Sequence, residues 1–261
     1  PAGLFALRRF LPGNRRGGAQ RDKDSLEIAE IGDNSFFDGM HRIQGISCIL
    51  LSCPEKMKKK KCDPIIFLFS APSGTGKGTI VSALLEEVGG LSRIVTATSR
   101  PKRKGEVEGH SYYFIPEEEF RSSIREGGFV EWNQIYGNFY GTKRDVVNRF
   151  IKEAAEKGND LLLEIDVDGK RNFVAQYPSV ISIFLLPPSL EELERRIATR
   201  KAESPEQMRK RLRRAKMELA RKNEYDYCVV NDSKKTAVEN VKAIIAKERE
   251  REGRPFDRIT A

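Results

Sequence analysis

The chain has 261 residues, 47 Lys and Arg against 38 Asp and Glu, a formal charge of +9 and a hydrophobic share of 39%. That length and apolar share suit one large or two small globular domains with a sizeable core, and they exclude a wholly disordered chain. The positive charge suits nucleic acid, an anionic membrane surface or a phosphorylated small molecule, and by itself it does not choose among them.

The longest early apolar run, "ISCILLSC" at 46–53, falls far short of the roughly 18 residues needed to span a bilayer, so no membrane partner is expected. The four cysteines, Cys48, Cys53, Cys62 and Cys228, form no C-x-x-C pair, and two histidines are too few to complete a zinc set. A reducing, cytoplasmic setting is therefore expected.

Residues 1–63 contain "PGNRRGG", no sustained hydrophobic period and the lysine run Lys58–Lys61. They are expected to be a disordered extension or a mis-assigned start, with Met57 standing where an initiator would. Four arginines without an acid in residues 1–20 resemble a transit peptide, but Asp22, Asp24, Glu27 and Glu30 argue against one.

From Asp63 the pattern sharpens. "PIIFLFSA" is a continuous apolar run of strand length, followed by a glycine-rich turn and then "IVSALLEEV" at helical spacing. The runs "DLLLEID" at 160–166 and "VISIFLL" at 180–186 read as further buried strands separated by helical stretches. Charged helices fill the span between Leu190 and Lys222. A last strand, "YCVVND" at 227–232, precedes the helix "TAVENVKAIIAKERE". The expected class is α/β with a parallel sheet flanked by helices.

The turn after the first strand reads Ala71, Pro72, Ser73, Gly74, Thr75, Gly76, Lys77, Gly78, Thr79. Successive backbone N–H groups in such a turn, leading into a helix N-terminus, form a concave anion site, and Lys77 adds a mobile positive charge. The spacing is that of a phosphate-binding P-loop, with Ala71 in place of the first glycine and Gly78 in place of the usual hydroxyl residue. Thr79, one position later, becomes the candidate metal-facing hydroxyl, directly or through water.

A second motif, "TSRPKRKGEVEGHSYYFI" at 98–115, sets Arg100, Arg103, Glu106 and Tyr112 in a polar loop region between expected strands. Two guanidinium forks and a phenol make a clamp for a dianionic monophosphate, though a solvated basic loop would have the same composition.

Taken together, these motifs resemble the guanylate kinase signature. The P-loop "SAPSGTGK" lies roughly twenty residues before "TSRPKRKGEVEGHSYYFI", and "FVEW", "GNFYGT", "LEIDVDG", "PPSLEELERRI", "KRL" and "VVND" follow in order. The resemblance covers roughly residues 64–250. It implies a P-loop nucleoside monophosphate kinase fold with a mobile GMP-binding subdomain at about 98–150, a helical lid at about 196–215 and a tail at 251–261.

By the same resemblance, Arg100, Arg103, Tyr112 and Tyr140 hold the phosphate of GMP, with Glu106 beside them, while Thr96, Glu131 and Thr142 face the base. A carboxylate at Glu131 suits the adjacent N1–H and amine donors of guanine and would leave adenine badly matched. Asp166 helps position GMP or hydrated Mg²⁺. Arg196, Arg200 and Arg211 belong to the lid over the ATP phosphates, and Asn231 approaches the adenine. Arg209, Arg213 and Arg214 read as a solvated helix face.

The implied reaction is ATP + GMP giving ADP + GDP, with Mg²⁺ as cofactor, GMP and dGMP as acceptors, no nucleic-acid partner, and a monomer or homodimer. Two alternatives are a non-catalytic guanylate-kinase-like interaction module, which the intact Gly74, Gly76 and Lys77 oppose, and a ribose bisphosphate phosphokinase, which would have no use for Thr96 and Glu131.

Overall fold

The computed structural model describes residues 63–198 and 205–253. The N-terminal extension, Arg200 and the tail beyond Gly253 lie outside the described residues.

The first strand, β1 (Ile66–Ser70), is buried along its whole length, which is why it reads as an unbroken apolar run rather than an alternation. It leads through the glycine turn into α1 (Lys77–Glu87), and the chain continues through β2 (Leu91–Ile94), β3 (Ala97–Thr98), β4 (Tyr113–Phe114) and α2 (Glu117–Arg125). A hairpin of β5 (Phe129–Ile135) and β6 (Asn138–Lys143) follows, then α3 (Arg144–Lys157), β7 (Asp160–Glu164), α4 (Val167–Gln176) and β8 (Ile181–Leu186). The charged stretch divides into α5 (Leu190–Ala198) and α6 (Pro205–Ala220), and a 3-10 turn at Lys222–Glu224 leads to β9 (Tyr227–Val230) and α7 (Lys234–Arg251).

The expected parallel sheet is present, five-stranded in the order β2-β7-β1-β8-β9. Alternate residues of β1 serve two cores. Phe67 and Phe69 pack with Ile80, Val81 and Leu84 of α1 and with Val238, Val241 and Ile245 of α7. Ile66 and Leu68 face the other way, into Val146 and Val147 of α3 and Phe173 of α4. Because β7 and β8 flank β1 and every pairing is parallel, the carboxyl ends of these strands open on one edge, where α/β sheets bind ligands.

A second, four-stranded sheet in the order β4-β3-β6-β5 was not foreseen from the sequence. Its strands pair in mixed fashion, β3 with β4 in parallel and β6 antiparallel to both β3 and β5. A small core holds it to α2, in which Phe120 stacks on Phe129 with ring centroids 4.3 Å apart. Two of these strands have only two residues, too short to show a hydrophobic period. Among the described residues no helix is long and apolar enough to cross a membrane.

One buried ion pair ties α7 to the start of the large sheet. Asp160 accepts a 2.9 Å bond from the Ile65 N–H and a 2.7 Å bond from Arg249 Nε, while Arg249 Nη2 donates to the Gly90 carbonyl at 2.9 Å. Removing the cation alone takes from the buried Asp160 carboxylate its charge-assisted bond with Arg249. Arg249→Ala is therefore expected to lower unfolding free energy by about 3 to 5 kcal/mol in a urea titration, with a smaller loss when Asp160→Asn is made as well.

Candidate active site

The glycine turn is shaped by two residues in the left-handed region. Gly74 has φ +92° and Gly76 φ +91°. Neither position has room for a side chain. A Cβ on Gly74 would lie 3.0 Å from Ile197 Cγ1 of α5, and one on Gly76 would lie 2.9 Å from Asn231 Nδ2. Asn231, expected near adenine, is buried and donates 2.6 Å to the Thr75 carbonyl, which fixes the turn from behind. Thr75 is fully buried beneath the turn. Lys77 begins α1, its Nζ 3.4 Å from the Ile165 carbonyl at the end of β7.

A cleft of about 510 Å³ runs over this turn. Its lining joins Ala71, Pro72, Ser73, Gly74, Gly76, Lys77, Gly78 and Thr79 to Arg100, Arg103, Glu106, Tyr112 and Tyr140. The two sequence motifs thus share one space. Position 78 is open, with nothing within 4 Å of where a Cβ would stand, and Thr79 is exposed to the cleft.

Arg100 is the most enclosed cation of this wall. Its two terminal nitrogens meet the Glu106 carboxylate at 2.7 and 2.5 Å, and Tyr112 lies 5.1 Å from the guanidinium carbon, ring-centre to carbon. Glu106 also accepts from the Arg103 N–H at 2.8 Å. The bidentate Arg100 bond holds the Glu106 carboxyl far down, at about 2, so the pair stays ionised across the neutral range. Glu106 thereby gives the Arg100 guanidinium one orientation at the cleft wall. Tyr112 and Tyr140 meet edge to face, 6.2 Å apart.

The residues expected to face the base sit deeper. Glu131 and Thr142 are buried on adjacent antiparallel strands, and Thr142 Oγ1 donates to Glu131 Oε1 at 2.5 Å. A register shift between Phe129 and Glu131 turns the Glu131 side chain toward α4, where Gly169 leaves it space: a Cβ there would come within 2.3 Å of Glu131 Oε2. Burial pushes the Glu131 carboxyl up to about 7. Thr96 is buried near the start of the small sheet. Neither it nor the Glu131 and Thr142 pair forms part of the cleft lining.

Asp166 caps α4, accepting 2.6 Å from the Gly169 N–H, and receives Asn133 Nδ2 at 3.1 Å. Asn133 was missed in the sequence; it lies two residues from Glu131 on β5, and strand periodicity is the signal that would have found it.

The residues expected to form a lid divide. Arg196 bonds Glu192 at 2.7 Å and reaches the Thr75 carbonyl at 3.5 Å, bracing the turn without lining the cleft. Arg211 lines the cleft, with Nη1 3.4 Å from Ser73 Oγ. Arg214, read from the sequence as a solvated residue, also lines it. Its guanidinium is held by Glu218 at 2.7 Å, Asp166 at 3.4 Å and Asp168 at 3.5 Å. Its spacing of three from Arg211 and four from Glu218 put all three on one helix face, a signal available in the sequence. Arg209 and Arg213 are not part of the cleft lining.

Among the described residues no group of three or more His, Cys, Asp or Glu is placed to hold a metal. The wall offers backbone N–H groups, guanidinium groups and hydroxyls and no activated nucleophile, the makings of a phosphate-handling site. The fold and this cleft define a P-loop phosphotransferase of the nucleoside monophosphate kinase class.

The sequence model of the guanylate kinase family matches residues 62–248. The chain belongs to that family. It is 44% identical to a guanylate kinase of Symbiobacterium thermophilum over 187 residues, 72% of this chain and 87% of that one. It is 42% identical to one of Caldanaerobacter subterraneus over 193 residues, 74% of this chain and 92% of that one. The crystal structure of guanylate kinase from Anaplasma phagocytophilum superposes with a TM-score of 0.57 at 30% identity, covering 76% of this chain and 91% of that one.

The raised Glu131 carboxyl has a stability consequence whose sign is fixed. Its folded value of about 7 stands above the ordinary 4.5, so the stability is present below 4.5 and is lost as pH rises toward 7. Glu131→Gln removes that ionisation. The variant is expected to gain about 2 to 3 kcal/mol on the wild type between pH 4.5 and pH 8, read from urea midpoints of both proteins.

Proposed function

We propose that the chain transfers the γ-phosphoryl group of ATP to the phosphate of GMP, giving ADP and GDP. The observation that carries this reading is the shared cleft, which brings the P-loop and its Lys77 face to face with Arg100, Arg103, Tyr112 and Tyr140. Donor and acceptor phosphates need opposed anion sites in one enclosure, and in-line transfer between them needs no protein nucleophile.

In this reading the N–H groups of the turn and Lys77 hold the ATP phosphates, joined by Arg211 from α6. Arg100 and Arg103 hold the acceptor phosphate. Glu106 supports that role by presenting the Arg100 fork in one orientation before any ligand arrives. Both arginines and Lys77 also neutralise charge that spreads over the transferred group.

Glu131 and Thr142 suit guanine, the carboxylate accepting from N1–H and the exocyclic amine. Because Glu131 lies behind the cleft wall, base entry implies that the small sheet and α4 part and close again on the ligand. The same motion would exclude water that hydrolyses ATP.

Mg²⁺ fits a site with few protein ligands, since it keeps several waters and is held largely by substrate phosphates. Thr79 and Asp166, both at the cleft, are the residues that would meet its hydration shell, and when bound the ion neutralises phosphate charge.

No observation favours a non-catalytic module, given the intact loop with Lys77 in place. Nor does any favour a ribose bisphosphate acceptor, given the buried Glu131 and Thr142 pair.

ADP release measured with MgATP and each of GMP, dGMP, AMP, CMP and UMP is expected to proceed with the two guanine nucleotides alone. Lys77→Ala is expected to lower that turnover by about 10²-fold or more. Equal turnover with AMP would overturn the assignment of the base site. Because Glu131 has to be ionised to accept from guanine, the KM for GMP is expected to rise about tenfold between pH 8 and pH 6. In Glu131→Gln it should be higher throughout and flat with pH.

A further inference from the structure

The turn between β5 and β6 has two residues, Tyr136 and Gly137, with φ of +49° and +84°. Both being positive makes this a mirror-image hairpin turn, whose first position favours Asn, Asp or Gly. A bulky side chain is disfavoured there. Among the described residues Tyr136 is the one non-glycine with positive φ. Nor does ordinary burial compensate, because the residue is 49% exposed.

The ring does have a specific neighbour. The Arg211 guanidinium carbon lies 5.1 Å from its centroid, within cation–π range, while Arg211 Nη1 lies 3.4 Å from Ser73 Oγ of the phosphate turn. Arg211 thus stands between the hairpin tip and the turn, and Tyr136, Arg211, Ser73 and Lys77 all line the one cleft.

A guanidinium is planar. Stacking uses its face, and the N–H donors on its edge remain available to oxygens in that plane. An aromatic ring is therefore a partner that fixes the cation without competing for the phosphate, unlike a carboxylate, which would do both.

Resting on the reading above, we propose that Tyr136 is a positioning residue. Its ring holds Arg211 at the mouth of the triphosphate site and links lid helix α6 to the small sheet. The disfavoured backbone at residue 136 is retained for that contact.

The test uses the full chain with Tyr136→Phe, Tyr136→Asn and Arg211→Gln, together with Tyr136→Asn in the Arg211→Gln background. Two quantities are read: the ATP Kd by calorimetry without acceptor, and the KM values for ATP and GMP. Asparagine accepts the positive φ, so the turn survives while the ring is lost.

Tyr136→Asn is expected to weaken ATP, in both Kd and KM, by about 3- to 10-fold, the range of a partly solvated cation–π contact. The KM for GMP at saturating ATP should change less than about twofold, since no GMP-facing group is touched. Tyr136→Phe should restore ATP values to within about twofold of wild type, and Tyr136→Asn should add nothing in the Arg211→Gln background. The single tryptophan, Trp132 of β5, reports on the hairpin, and its emission should be unchanged in the Asn variant.

Unchanged ATP binding in Tyr136→Asn overturns the proposal. So does a full additional loss in the Arg211→Gln background, failure of the Phe variant to restore ATP values, or a shifted Trp132 emission showing that the ring merely supports the hairpin. Absence of GMP turnover in the wild type would sink the kinase reading, whereas the calorimetric ATP comparison would still decide Tyr136. Absence of ATP binding in the wild type sinks both.

Discussion

Burial of β1 on both faces is the constraint on which the rest depends. Phe67 and Phe69 fill one core and Ile66 and Leu68 the other, so the strand cannot shift register without emptying both. With parallel neighbours on either side, its carboxyl end has to leave the sheet at the ligand edge. The turn that follows must reverse into α1 within a few residues, and the left-handed Gly74 and Gly76 make this sterically possible. Phosphate binding is thus a by-product of a packing solution: the backbone that turns most tightly also exposes its N–H groups.

The site is held from outside as much as from within. Asn231 and Arg196 bond the Thr75 carbonyl from β9's end and from α5, and Ile197 occupies the space that a side chain on Gly74 would need. Glu106 performs the matching service for Arg100. In each case a polar group is given one orientation by a fixed partner. Pre-orientation of this kind lowers the entropy lost when a ligand binds, and it is a main route by which a positively charged cleft becomes a selective one.

Charge in the cleft is balanced rather than simply positive. Glu106 opposes Arg100, Glu164 pairs with Arg93 at 2.8 Å, and Arg214 answers both Asp166 and Glu218. Such neutralisation keeps the open cleft from being destabilised by like charges crowded together. Glu131 shows the opposite choice. It is buried with a hydroxyl partner and, among the described residues, no cation at hydrogen-bonding distance, and its raised carboxyl reflects that desolvation.

Much of this was legible in the chain itself. The apolar run into "SAPSGTGK" determined a strand, a turn and a helix, because both a doubly buried strand and a glycine turn have local signatures; the arginine motif and the later strands were equally readable. The small sheet was not, since two-residue strands such as Ala97–Thr98 have no period and exist only through their partners. Nor could sequence tell that Glu106 serves Arg100, that Asn231 faces the turn, or that Arg196 braces that turn from behind. Those are matters of direction, and a side chain's direction depends on which element packs against which. The residue types able to meet a phosphate follow from chemistry written in the chain; which of them meet each other was decided only when Phe120, Ile197 and Asn231 brought distant segments together.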